Sequence, residues 1–227
     1  MDYFIFGVLP YIALAVLFIG SVARYERDPF TWKSSSSQLL RRKQLVWGSI
    51  LFHVGILTVF FGHLIGMLTP LALFHALGIS YGLKQVAAIV VGGIAGAMAI
   101  VGAAMLLHRR LLDPRIRANS SFADNGILIL LLVQVVIGMG TILVSIHHLD
   151  GGEMVKFMDW AQAIFTFRAD AWRIVEDVHW IYKLHIMLGL LIFILFPFTR
   201  LVHMLSAPVR YLWRPGYQIV RTKKRRA

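Results

Sequence analysis

LVWGSILFHVGILTVFFGHLIGML (45–68) and WIYKLHIMLGLLIFILFPFTRLVHM (180–204) are two apolar runs, each carrying two histidines: His53 and His63 in the first, His185 and His203 in the second. Runs of this kind read as transmembrane helices, because about 20 helical residues cross a hydrocarbon core of about 30 Å. Three further apolar runs lie at about 4–23, 86–107 and 126–147. The 227-residue chain is 58% hydrophobic, with mean hydropathy +0.72. The pattern predicts an all-α integral membrane bundle of five transmembrane helices, with residues 1–227 forming a single membrane domain.

Charge sets the expected orientation. The net charge is +12. Arg24, Arg27, Lys33, Arg41, Arg42 and Lys43 follow the first run, and Arg109, Arg110, Arg115 and Arg117 follow the third. The C-terminal stretch carries Arg200, Arg210, Arg214, Arg221 and Lys223 to Arg226. The alternate connections hold only Lys84, Lys156, Arg168, Arg173 and Lys183. The positive-inside rule then places the N-terminus outside and the C-terminus, with its basic tail, in the cytoplasm. Anionic membrane lipids are the expected contact for this charge, and no motif points to nucleic acid. The start, Met1-Asp2-Tyr3, lacks the positive charge of a signal peptide, which favours a retained first helix.

Cysteine is absent. This excludes, within the chain, disulfides, thiolate haem ligation, cysteine-bound zinc and cysteine-held iron–sulfur clusters. Any such cluster has to come from a partner.

Local signals refine the layout. Thr69-Pro70 reads as the stop of the second helix. A short amphipathic helix is possible around Gln38 to Arg41. Gly92 and Gly96 in the third run have the small-xxx-small spacing that lets helices pack closely, or leaves room for a flat cofactor. Gln134, in mid-span, reads as interhelical glue. In 148–179, Met154, Phe157, Met158, Ala161, Ile164 and Phe165 form a helical stripe, suited to the outer interface or to covering the bundle. Trp160, Trp172 and Trp180 fit an interfacial aromatic belt.

The histidines carry the chemistry. A lone membrane histidine is commonly a hydrogen-bonding residue, but ionisable groups at depth need a partner or a function. Neutral imidazole is an axial ligand of haem iron. On a continuous helix, His185 and His203 share a face about 27 Å apart, whereas His53 and His63 are about 15 Å apart and offset by about 80°. Antiparallel depth pairs His63 with His185, and His53 with His203. Helix tilt or a bend at Pro197 has to absorb the unequal spacing. Two bis-histidine haems at two depths are the expected cofactors, with these four residues as metal ligands. No HExxH occurs, and no acid–histidine cluster lies in the spans, which argues against zinc.

Several stretches together resemble the respiratory nitrate reductase gamma subunit. They are Leu51-Phe52-His53, Phe61-Gly62-His63, Gly66-Met67-Leu68-Thr69-Pro70, Lys183-Leu184-His185 and Phe196-Pro197-Phe198-Thr199-Arg200-Leu201-Val202-His203. Pro10-Tyr11-Ile12, Arg24-Tyr25, Arg109-Arg110-Leu111 and Ala207-Pro208-Val209 extend the similarity along nearly the whole chain. The resemblance implies a dihaem cytochrome b that anchors the complex in a bacterial or archaeal cell (inner) membrane and oxidises quinol. Electrons would pass to an iron–sulfur beta subunit and a molybdenum-containing alpha subunit that reduces nitrate. His63 and His185 would hold the outer haem, His53 and His203 the inner one, and the quinol-site lysine falls at Lys84.

Quinol is apolar and enters from lipid. Lys84, at the outer head of the third helix, is suited to a quinol oxygen, to a haem propionate, or simply to snorkelling at the interface. Gly62 leaves room for a ring beside His63. The quinol-binding candidates are therefore Lys84, Gly62 and His63. No residue is expected to be catalytic in the nitrate chemistry itself. The rival readings are an equivalent quinone-linked module of a heterodisulfide- or sulfite-type reductase, and a non-redox transporter or structural anchor.

Overall fold

In hydrocarbon a backbone amide finds no water, so each span satisfies its own polar groups as a helix. A computed structural model describes residues 1–28, 30, 32, 40–118 and 120–206. The basic tail beyond 206, the serine run at 34–37, Lys33, and the helix expected from Gln38 lie largely or wholly outside the described residues. The helices are α1 (Leu9–Arg27), α2 (Arg42–Leu68), α3 (Leu71–Ala76), α4 (Tyr81–Leu112), α5 (Pro114–Ala118), α6 (Phe122–Ser145), α7 (Gly152–Phe165) and α8 (Trp180–Leu195). A wider π-helical stretch, Tyr3–Val8, leads into α1. Among the described residues there is no strand. Five helices are long and apolar enough to cross a membrane: Tyr3–Arg27, Arg42–Leu68, Tyr81–Leu112, Phe122–Ser145 and Trp180–Phe198.

The helix ends follow local chemistry. Ser80 Oγ accepts from Leu83 N at 3.2 Å to start α4, and Ser121 Oγ accepts from Asp124 N at 3.0 Å to start α6. Pro70 follows the last turn of α2, as its sequence predicts.

α2 lies along α4, and glycine decides how close they come. A Cβ added at Gly55 would strike the backbone of Ala95 and Ala99, and one at Gly102 the backbone of Gly48 and Phe52. The expected pair behaves differently. Gly96 abuts Met139 of α6, whereas Gly92 faces open space. α4 also packs on α6, while α8 packs on α1 and α6.

α7 covers the end of the bundle that holds the N-terminus. Trp160, Ala161, Ala163 and Ile164 are buried in one core with Phe6, Val175 and Tyr182, and Met158 on the same helix is also fully buried. The stripe in 148–179 is therefore a cap on the bundle. Trp160 is not a belt residue: it is buried, and its Nε1 donates to the Phe6 carbonyl at 3.0 Å. Trp180 is 65% exposed, as a belt position requires. Gln162 Nε2 donates to the carbonyls of Met67 (3.1 Å) and Thr69 (3.2 Å), at the C-terminal end of α2, where carbonyls lack intrahelical partners. Lys183 pairs with Asp2 at 2.6 Å, tying the chain's start to the first turn of α8.

The last apolar run does not form the continuous helix expected over 180–204. α8 ends at Leu195, Phe196–Phe198 forms a 3₁₀ turn, Thr199 is extended, and Arg200–Ser206 is again 3₁₀. Pro197 is the cause, because it lacks an amide hydrogen and its ring clashes with the carbonyl four residues back. His185 and His203 therefore stand on separate segments, and the spacing calculated for a straight helix does not apply.

Gly102→Ala is expected to destabilise the bundle by about 1–3 kcal/mol, since the crowding atoms are backbone and cannot rotate away. Gly92→Ala meets nothing and is expected to be neutral or stabilising by up to about 1 kcal/mol. Denaturant-induced unfolding of the two variants in detergent separates them; equal midpoints would refute the crossing described.

Candidate functional site

The four histidines of the two apolar runs meet in two pairs. The ring centres of His63 and His185 are 6.0 Å apart with planes at 43°, and those of His53 and His203 are 6.2 Å apart with planes at 75°. These are the pairs that antiparallel depth predicts. The break at Pro197 resolves the unequal spacing, because it lets His203 approach α2 independently of the axis of α8.

Their hydrogen bonds fix which nitrogen is available. His53 Nδ1 lies 2.8 Å from the Ser49 carbonyl, and His63 Nδ1 lies 2.8 Å from the Val59 carbonyl. His203 Nδ1 bonds the Arg200 carbonyl. A carbonyl only accepts, so each Nδ1 carries the proton and each Nε2 keeps its lone pair. Metal-bound histidines use this arrangement, in which the far nitrogen donates and thereby orients the ring. His185 differs. Its Nδ1 is buried with no hydrogen-bond partner among the described residues, and its ring lies on Gly138, where a Cβ would stand 2.9 Å from Cε1. Gln134 Nε2 donates to the His185 carbonyl at 3.0 Å, so the expected interhelical role of Gln134 is met between α6 and α8.

The spacing fits one metal between each pair. Two metal–imidazole bonds of about 2 Å, plus about 1.1 Å from each nitrogen to its ring centre, put the centres about 6.2 Å apart. Among the described residues no three His, Cys, Asp or Glu side chains gather around one point. A metal between either pair would take two nitrogens from the protein, and its remaining ligands would come from another molecule. A tetrapyrrole supplies four in a plane. Room for a flat group is consistent with the packing: α2 is held mainly by α4 and α7, α8 by α1 and α6, and the two histidine-bearing helices make no extensive contact with each other.

Beside the His63 pair lies an open face. Added Cβ atoms at Gly62 and Gly66 meet nothing within 4 Å. Gly62 and Gly66 are four apart, hence on one side of α2. Lys84, in the first turn of α4, donates to the Gly66 carbonyl at 2.7 Å and to Met158 Sδ at 2.8 Å, and its Nζ sits 3.8 Å from the centre of the Phe74 ring. Lys84 is thus brought to α2 at Gly66, about one turn beyond Gly62 and His63. The sequence reading did not single out Gly66, Met158 or Gly138 for this site. The recurrence of glycine four residues after Gly62 was the available signal for Gly66.

The other histidines stay apart from these pairs. His75 bonds Tyr81 at 2.5 Å, His108 meets Gln44 at 3.1 Å, and His179 accepts from Ile181 N at 3.4 Å to cap α8. His147 and His148 are exposed.

Comparison with known proteins covers the whole length. A family model described as nitrate reductase gamma subunit matches residues 2–223. The chain is 46% identical over 224 residues to the respiratory nitrate reductase 2 gamma chain of Escherichia coli (strain K12), covering 99% of this chain and 98% of that one. It is 45% identical to the respiratory nitrate reductase 1 gamma chain of the same organism, covering 98% of each. It is 40% identical to the nitrate reductase gamma chain of Bacillus subtilis (strain 168), covering 96% of this chain and 97% of that one.

Gln134→Leu removes a hydrogen bond within the apolar layer and is expected to cost about 0.6 kcal/mol, the average for such bonds between membrane helices, and at most about 1.7 kcal/mol. The denaturant midpoint of the purified chain is the readout, and an unchanged midpoint would show that the amide contributes nothing.

Proposed function

The chain belongs to the nitrate reductase gamma subunit family, and from that premise we propose how its residues serve a membrane cytochrome b subunit of respiratory nitrate reductase. His53 and His203 hold one haem b, and His63 and His185 hold a second. The observation that carries this reading is the pair of ring-centre separations, 6.2 and 6.0 Å. When bound, each haem supplies a one-electron iron couple at its own depth, so the chain serves as a conduit for electrons across the membrane. Nδ1–H donation by His53, His63 and His203 leaves each Nε2 neutral and available to a metal.

The site beside His63 takes quinol, whose oxidation to quinone releases two electrons and two protons. Gly62 and Gly66 leave a flat face that is reached from lipid, while α7 and its buried Met158 close the end of the bundle. An ammonium carries three donors. Lys84 commits two of them to Gly66 and Met158, which leaves one N–H for a quinol oxygen. His63 stands next to that face, so little distance separates the bound ring from the nearer metal site. The N-terminus lies outside and the C-terminus inside, in the cell membrane; protons leave outward, and electrons leave inward to the beta and alpha subunits that the gamma designation implies. Moving one charge through 100 mV is worth about 2.3 kcal/mol, so this separation conserves energy. Arg115 and Arg117, exposed beyond the inner end of α4, face that partner and the anionic lipid. The family match favours this over a heterodisulfide- or sulfite-linked module.

A reduced-minus-oxidised spectrum of the wild-type complex is expected to show two b-type haems. Leu at His63 or His185 should remove one of them, and Leu at His53 or His203 the other. Loss of the same haem in all four variants, or a wild type without a b-type band, refutes the ligand assignment. Lys84→Ala should keep both haems yet slow their reduction by quinol roughly 10–100-fold, the equivalent of a hydrogen bond to a charged group of about 1.5–3 kcal/mol. Reduction at the wild-type rate places quinol elsewhere.

A further inference from the structure

We propose that Arg24 and Gly20, on the first span, are positioning residues for His203, setting the break that delivers this ligand to His53. The inference rests on the reading of the His53–His203 pair as a haem site. A proline break frees backbone carbonyls, and in an apolar layer each freed carbonyl needs a donor. Here a single guanidinium nitrogen supplies it: Arg24 Nη1 donates to the Pro197 carbonyl at 2.7 Å and to the Thr199 carbonyl at 2.8 Å. These carbonyls flank Phe198, so one donor draws together the two sides of the break.

Gly20 stands one turn before Arg24, on the same face of α1. A Cβ there would be 2.9 Å from Cγ and 3.1 Å from Cβ of Pro197, whose ring is fully buried and has nowhere to retreat. The missing side chain thus brings α1 against the proline, and the guanidinium holds the chain that emerges from it. Inside the break, Thr199 Oγ1 donates to the Phe196 carbonyl at 3.2 Å and accepts from Leu201 N at 3.4 Å. The next 3₁₀ segment carries His203, and the Arg200 carbonyl accepts from His203 Nδ1. Arg24 therefore acts on the imidazole through a short run of fixed backbone, touching neither the ring nor the metal site. Two further ties hold the segment: Arg200, at its start, faces Asp124 at 3.9 Å, and Trp32 Nε1 bonds Ser206 Oγ at its far end.

The test uses the membrane-bound complex and reads each haem by content, potentiometric titration and low-spin electron paramagnetic resonance. In Arg24→Gln, the haem assigned to His53 and His203 is expected to lose about tenfold or more in occupancy, or to remain with an altered midpoint and resonance signature. The haem at His63 and His185 keeps its wild-type values. Arg24→Lys, whose ammonium can still reach both carbonyls, should restore part of the effect. Gly20→Ala leaves the guanidinium in place and should perturb the same haem alone. Wild-type occupancy, midpoint and signature for both haems in Arg24→Gln and Gly20→Ala overturn the proposal. So does equal loss of both haems in these variants, which assigns the two residues to folding of the whole chain. A wild-type complex without haem at the pair refutes the parent reading instead.

Discussion

A nitrogen or carbonyl at membrane depth has no water to turn to, and this chain is organised around meeting that requirement. Helices absorb the backbone. What is left over is handled by a few polar side chains at defined places: Gln162 on the end of α2, Trp160 on the π-helical stretch before α1, Gln134 on the carbonyl of His185, and Arg24 on the break after α8. Imidazoles are subject to the same demand. Three of the four donate through Nδ1 to a carbonyl of their own helical turn. Their other nitrogens keep a lone pair, and the ring centres stand 6.0 and 6.2 Å from a second imidazole. In hydrocarbon a neutral nitrogen lone pair held this way is well suited to a metal.

The packing separates into two parts that hold the paired histidines from opposite sides. On one, α2 is fused to α4 by glycines at Gly48, Gly55 and Gly102, which allow backbone-to-backbone approach. On the other, α8 rests on α1 and α6. A slot bounded by well-packed walls keeps its width because each wall resists deformation. α7 then closes one end, and its buried Met158 reaches Lys84. On the proposed reading, quinol approaches the His63 pair over Gly62 and Gly66, where an added Cβ meets nothing within 4 Å. In this arrangement the cap and the open glycine face complement each other.

Much of this is legible from the residues. The five spans follow from apolar length, because the thickness of the hydrocarbon layer sets a minimum run for any helix that crosses it. The end of α2 at Thr69 follows from Pro70, and the pairing of His63 with His185 follows from alternating helix direction. Other features were not legible. Trp160 reads as an interfacial aromatic, yet the neighbouring carbonyl of Phe6 draws it inside. Gly92 and Gly96 read as a packing pair, yet only Gly96 meets another helix. Spacing alone says which residues share a face, but not which helix lies against that face.

The break at Pro197 marks the division most sharply. Proline within an apolar run announces a bend, because it withholds an amide and crowds the preceding turn. The direction and extent of that bend depend on Arg24 and Gly20, more than 170 residues earlier in the chain. The sequence by itself determined the number of spans, the ligand-type residues and their order in depth, all of which depend on local composition and helix direction. Only the tertiary structure decided the distance between the rings, the nitrogen that three of the four rings leave free and the face left open beside Lys84. These depend on contacts between helices that local propensity does not encode.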